Sequence, residues 1–180
     1  MKGIASHFAI LSETEIARQT VLLFNSNNTL INKYALSDLS VETSGTMFVD
    51  GLVSLPIVSV SKYLNKNELL ALQNNFQVLR PENEFGYMPN DLRPVLIDFA
   101  TEDYFECYRS IKQYFEKFAM IDLFEFVKAA TTRPAQIVGL QSTIDIGSNY
   151  RLTAWENVDF MHRRLKHDTR PVKLNLFENY

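Results

Sequence analysis

The chain has 180 residues, 46% of them hydrophobic and 22% charged, which fits one compact globular domain or two small lobes. Its formal net charge of −3 argues against bulk electrostatic attraction to nucleic acid or an anionic membrane. No stretch approaches the roughly 18 uninterrupted apolar residues of a membrane span. The first apolar run, residues 4–11, is interrupted by Ser6 and His7. No small-residue cleavage site follows it, so it does not read as a secretory signal. Cys107 is the only cysteine. An internal disulfide is therefore impossible, and a reducing, cytoplasmic setting is expected.

The first third reads as β. Residues 4–11, 20–24 and 29–34 are strand candidates. The last two flank Asn25-Ser26-Asn27-Asn28, residues that tolerate turn conformations, and so read as a hairpin. Residues 47–49 make a short strand ended by Asp50-Gly51. A further strand is expected over 55–60, with Pro56 at its start.

The middle reads as α. Asn65 and Glu68 have the capping-box spacing, and Leu69, Leu72 and Phe76 follow on one helical face. Residues 80–94 hold three prolines and a glycine, which predicts a loop, and 95–99 a short strand. Thr101 is expected to cap the next helix, with Glu102 and Asp103 at its positive end. Tyr104, Tyr108, Ile111, Phe115 and Phe118 then form a broad apolar stripe. Asp122 with Glu125 starts another helix, which buries Leu123, Phe126, Val127 and Ala130. Pro134 suits a first helical turn and Gly139 a helix end. Strand-like sequence returns at 151–155, 158–161 and 172–176, with Asn157 in the turn between the first two.

Four stretches, in order, resemble the metal-dependent amidohydrolases. Residues 4–12 and 21–31 resemble the opening hairpin of that family's β-sandwich. Gly51-Leu52-Val53-Ser54-Leu55 resembles the Gly-Leu/Phe-Val-Asn-Ala/Leu run that enters its first barrel strand. Residues 129–140, inside the stretch 124–140, are similar to its A-T-x-N-P-A-x-x-L-G-L helix pair. Ile144-Asp145-Ile146-Gly147 resembles G-x-I-x-x-G, and residues 152–174 look like the strands that close the sandwich in amidohydrolase-related bacterial proteins. The resemblance implies a sandwich built from both chain ends.

The departures from the family are large. Where the resemblance places His-x-His, two metal ligands, this chain has Pro56 and Val58, neither of which offers a donor atom. A TIM barrel needs about 250 residues, whereas only the stretch from about 59 to 118 is free to form one. The chain has three histidines, fewer than the four of binuclear family members. Most of the barrel, and the metal site with it, is therefore expected to be missing.

Other candidate chemistry is sparse. His162 and His167, five positions apart, do not share a helix face. With Asp159 and Asp168 they could in principle bind a metal. Such sites need convergent ligands and a supporting shell, so exposed polar residues on a terminal strand and loop are expected instead. His7 reads as a packed or sheet-surface histidine. Arg163, Arg164, Lys166, Arg170 and Lys173 form one basic cluster that could contact phosphates. A charged, solvated strand edge is the expected reading. Cys107 reads as a structural thiol. P-loop, Rossmann and serine-elbow patterns are absent from the sequence.

The expected fold is α+β, a single domain. Its β-sandwich lobe comes from residues 1–60 and 141–180, and its helical lobe from 61–140. The expected function is non-catalytic: an interaction or scaffold subunit that associates with itself or with an amidohydrolase-like relative. A small-molecule binding module is the alternative, and a hydrolase with an atypical metal site stands behind both. No catalytic, cofactor-binding or metal residue is assigned, no cofactor is expected, and neither nucleic acid nor membrane is an expected partner. The apolar helices are expected to meet a second copy rather than fold back over the sandwich.

Overall fold

The computed structural model describes residues 1–38, 45–82, 87–149 and 151–175. Strands β1 (Lys2–Ile10), β2 (Ile16–Phe24), β3 (Leu30–Ala35) and β4 (Thr46–Ser54) come first. The middle holds α1 (Lys66–Leu72), β5 (Gln77–Leu79), β6 (Val95–Ile97) and α2 (Tyr104–Gln113). It continues with α3 (Phe115–Phe118), α4 (Leu123–Ala130) and α5 (Thr132–Ile137). Strands β7 (Leu152–Asp159) and β8 (Arg164–Leu174) follow. No helix among the described residues is long and apolar enough to cross a membrane.

Both chain ends enter one six-stranded sheet, ordered β3-β2-β1-β4-β7-β8. The α+β class and the sharing of one sheet by the two ends follow directly. β1 pairs antiparallel with β2 and parallel with β4, so the chain runs out through β2 and β3 before returning to the other side of β1. The Asn25 side chain shapes the β2–β3 hairpin, its Oδ1 accepting from the N–H of Asn27 at 2.9 Å and of Thr29 at 3.0 Å. The β4–β7 pairing is short, from Gly51↔Glu156 to Ser54↔Thr153. β5 and β6 form a separate parallel pair.

Each face of the large sheet has its own core. On one face, Ile10, Leu52 and Trp155 pack with Phe118, Leu123 and Phe126 from the helices. Phe126 and Trp155 meet edge to face at 5.7 Å, the geometry that aromatic quadrupoles prefer. On the other face, Ile4, Leu22, Phe24, Leu30 and Val53 cluster with Leu152 and Ile144. The helices thus fold back over the sheet, and Phe118 and Phe126 are wholly buried there. Phe105 and Met120 remain exposed.

Several sequence expectations shift for local physical reasons. Residues 55–60 are not a strand. β4 loses its β7 partner after Ser54, and Pro56 has no N–H to give a ladder. The donors of Val58 and Ser59 go instead to the Ala130 carbonyl, at 3.1 Å, and to Glu102, at 3.3 Å. Asp103 rather than Thr101 caps α2, accepting from the Glu106 N–H at 3.0 Å. The stripe from Tyr104 to Phe118 spans two helices, broken at Tyr114, whose ψ is +27°. The α1 helix ends before Phe76, and Gln77–Leu79 is a strand. Asn157 is not in a turn but at a bulge inside β7, with φ 57°. The expected strands 158–161 and 172–176 resolve into the end of β7 and a long β8, and Leu176 lies outside the described residues.

Gly51 occupies the tightest point of the β4–β7 seam. A β-carbon there would fall against the Trp155 carbonyl oxygen and 3.0 Å from its carbonyl carbon. Backbone, unlike a flexible side chain, cannot yield. Gly51→Ala is therefore expected to cost about 2 kcal/mol or more, within the usual range for overpacking. Urea unfolding reads this directly, and a loss below about 0.5 kcal/mol, the scatter of inert surface changes, would refute the close approach.

Candidate functional site

Once it leaves the sheet at Ser54, the chain runs along the floor of a cleft. Leu55, Pro56, Ile57 and Val58 line a cavity of about 650 Å³. Tyr63, Glu102, Ala135 and Leu140 line it as well. Asn28 from the β2–β3 turn and Arg151 also belong to the lining. A second hollow of about 460 Å³ shares Pro56, Ile57, Glu102 and Arg151 with it, and adds Tyr104, Phe105 and Lys173. The two hollows therefore adjoin along these residues and are together called the groove. Its size suits a small organic molecule.

The acidic side of the groove is already engaged. Glu102 accepts from the Ser59 N–H and from Lys62 Nζ at 3.0 Å. Burial, and then the Glu102 carboxylate, raise the Tyr63 hydroxyl above the ordinary phenol range. Tyr104 shares a 2.7 Å hydrogen bond with Thr153, and burial raises its hydroxyl too. Asn28 Oδ1 is buried without a hydrogen-bond partner. Among the described residues, no histidine or cysteine lines the groove.

Behind the floor lies a charged clamp. Asp98, wholly buried, follows β6, and Arg80 follows β5. Asp98 Oδ1 accepts from Ser59 Oγ at 2.9 Å and Ser61 Oγ at 3.1 Å, and Oδ2 from Arg80 Nε at 3.0 Å. It also accepts from the N–H of Ala100, a non-glycine residue at φ 58°. That left-handed conformation costs on the order of 1 kcal/mol and is held by the carboxylate. So many donors leave Asp98 a strut rather than a free base. A second clamp centres on Arg133, which donates to Glu125, Glu13 and the Val95 carbonyl. It ties α5 to α4, to β6 and to the β1–β2 turn.

The residues singled out by sequence go to different places. Pro56 and Val58 lie on the cleft floor. His162 pairs with Asp159 at 2.8 Å in the β7–β8 turn. The His162 N–H, and then its ring, hold that carboxyl below the usual range. His167 lies edge-on to Phe115. Among the described residues, no three His, Cys, Asp or Glu side chains converge as a metal site would require. His7 sits in β1 between the rings of Phe48 and Phe160 and 3.3 Å from Asp50.

Two of the five cations in the basic cluster are paired with carboxylates, and a third is held by a carbonyl. Arg163 pairs with Asp122 and Arg170 with Glu156, while Arg164 donates to the Ala119 carbonyl. Burial first, then the carboxylates of Asp103, Glu102 and Glu106, push the Cys107 thiol up to about 12. It is therefore unreactive at neutral pH. Sequence reasoning missed Tyr63, Glu102, Asp98 and Arg151. A carboxylate directly after the short apolar strand at 95–97 was the one available signal.

No family model matches the chain, and no curated protein matches it in sequence. A solved structure, N-acetyl-D-glucosamine-6-phosphate deacetylase from Mycobacterium smegmatis, is similar at 10% identity and a TM-score of 0.26. The alignment covers 91% of this chain and 64% of that one. A likeness at that level carries no argument about fold or activity.

The Arg133 clamp yields a pH test. Burial alone would raise the Glu125 carboxyl, but the Arg133 hydrogen bond and charge outweigh it and hold Glu125 below its ordinary value of 4.5. Because the folded-state value is depressed, the clamp stabilises the protein above that pH. The contribution disappears as pH falls through the folded-state value. Arg133→Met is expected to cost about 2–3 kcal/mol at pH 7. That is less than the 3–5 of a wholly buried pair, since both carboxylate partners are one-third exposed. Urea unfolding of both proteins from pH 7 to pH 3 should show the gap narrowing with acid, whereas a constant gap would rule out the ionic contribution.

Proposed function

We propose that this chain is a non-catalytic, amidohydrolase-like binding protein whose groove takes a small molecule. One observation carries the reading. The resemblance sets Pro56 and Val58 where the family has His-x-His, and these two residues pave the floor of the groove. An apolar floor under a cavity of about 650 Å³ suits ligand burial and supplies no metal ligand. Of the groove's groups that could exchange protons, Glu102 and Tyr104 are held by Lys62 and Thr153.

Thermal melting with a library of small polar metabolites tests this. A ligand at a hundred times its dissociation constant adds about 2.7 kcal/mol, or about 5–10 °C for a domain of this size. Hits should be lost in Leu140→Trp, which fills the groove from an exposed position. Zinc-loaded protein should hydrolyse neither cyclic amides nor N-acyl amino acids. Turnover that Leu140→Trp abolishes would replace the binding role with an enzymatic one.

A second reading, association with another copy or with an amidohydrolase-like relative, has its own support. Phe48 is 53% exposed and Met161 87%, and the His7 ring joins Phe48 to Phe160. This apolar cluster lies where β4 runs beyond its pairing with β7, a place where sheets recruit partners. Sedimentation at low micromolar concentration should give a dimer that Phe48→Ser dissociates. A wild-type mass of about 21 kDa (20.8 kDa for one chain), unchanged with dilution, would eliminate self-association.

A further inference from the structure

We propose that the groove recognises a ligand that ends in an oxyanion, a carboxylate or a phosphate monoester, with Arg151 and Lys173 as its receptors. The inference rests on the ligand-binding reading and adds the chemical class. Arg151 immediately precedes β7, two residues before Thr153. Thr153 stands directly opposite Lys173 across the β7–β8 ladder. Side chains two apart on a strand, and those directly paired across it, share a face of the sheet. Arg151, Thr153 and Lys173 therefore project to one side, and the Tyr104 hydroxyl on Thr153 identifies that side as the groove. Both cations line its second hollow.

The balance of committed and uncommitted charge decides the sign of the ligand. The two carboxylates at this end are occupied: Glu102 by Lys62 and the Ser59 N–H, Asp103 by the α2 cap. The two cations are not. Neither Arg151 nor Lys173 forms an ion pair or side-chain hydrogen bond with another described residue, unlike Arg163, Arg164 and Arg170 of the same hairpin. A ligand carboxylate or phosphate would meet a guanidinium able to bind two oxygens at once and a mobile ammonium beside it. Its apolar body would lie along Pro56 and Ile57, which border both hollows. A cationic ligand would instead meet both of these cations, and at Glu102 would have to displace Lys62.

Three probes of one shape test this: phenyl phosphate, benzoate and benzyl alcohol, titrated at low ionic strength into isotope-labelled full-length protein and followed by amide NMR. At least one anion should bind ten times or more tighter than the alcohol, perturb the amides around Arg151 and Ile57, and weaken as salt is added. The tighter anion identifies the oxyanion as phosphate or carboxylate. The double variant Arg151→Gln/Lys173→Gln changes only exposed side chains. It should melt like the wild type and lose that preference, whereas Lys166→Gln, outside the groove, should retain it. If the three probes bind the groove equally, or the double variant keeps the preference, the oxyanion inference falls while the groove remains a binding site. If none of them perturbs the groove, both readings fall.

Discussion

The four-residue seam between β4 and β7 joins the strands of the chain's beginning to those of its end. Without it the sheet would separate into β3-β2-β1-β4 and β7-β8. The seam is short, so its quality matters. Gly51 lets the two backbones close, and Trp155 supplies the largest fully buried side chain. The indole N–H donates to Ser54 Oγ at 2.9 Å, and that hydroxyl donates to the Leu55 carbonyl at 2.8 Å. A buried indole N–H needs such a partner. The same chain of hydrogen bonds fixes the point at which β4 ends and the cleft floor begins.

Everything around the groove is held relative to that point. Residues 55–59 have left the sheet, so their backbone donors must be satisfied elsewhere. Ala130 at the end of α4 and Glu102 before α2 receive them. Asp98 gathers Ser59, Ser61 and Arg80 from two segments, and Arg133 gathers Glu13, Glu125 and β6. These clamps span long sequence separations and tie the small β5–β6 pair and residues 59–61 to the rest of the fold. A buried pair of this kind adds little net stability over an apolar one, but losing one partner is costly. Its contribution here is to hold the groove walls in one arrangement.

The sequence announced what local chemistry determines. The Asn25–Asn28 turn, the Asn65 capping box and the Asp122 cap each depend on neighbours within four residues, and each is present. Features set by distant partners were not legible. Residues 55–60 look like a strand by composition, but no neighbouring strand is there to pair with them. Charged residues hide β8, because it is an edge strand with one wet face, where Lys, Arg and even Pro171 are tolerated. Asn157 resembles a turn residue because the αL conformation it adopts serves turns and bulges equally. The groove was visible only as a departure, at Pro56 and Val58. Its charged residues, Glu102 and Arg151, sit in unremarkable local sequence and come together through the β4–β7 seam.

The distribution of committed groups bears on what kind of protein this is. Proton transfer requires a side chain that is accessible and free to change partners at the pH of the reaction. Asp98 is wrapped by donors, Glu102 is tied to Lys62, and the Cys107 thiol is buried with its ionisation suppressed. These three groups are engaged or buried within the fold. Ligand recognition has a lower requirement: a concave apolar surface and a few charges without internal partners. Those are the features left over once the structural hydrogen bonds have been assigned, and they lie at the end of the groove where Arg151 and Lys173 face the second hollow.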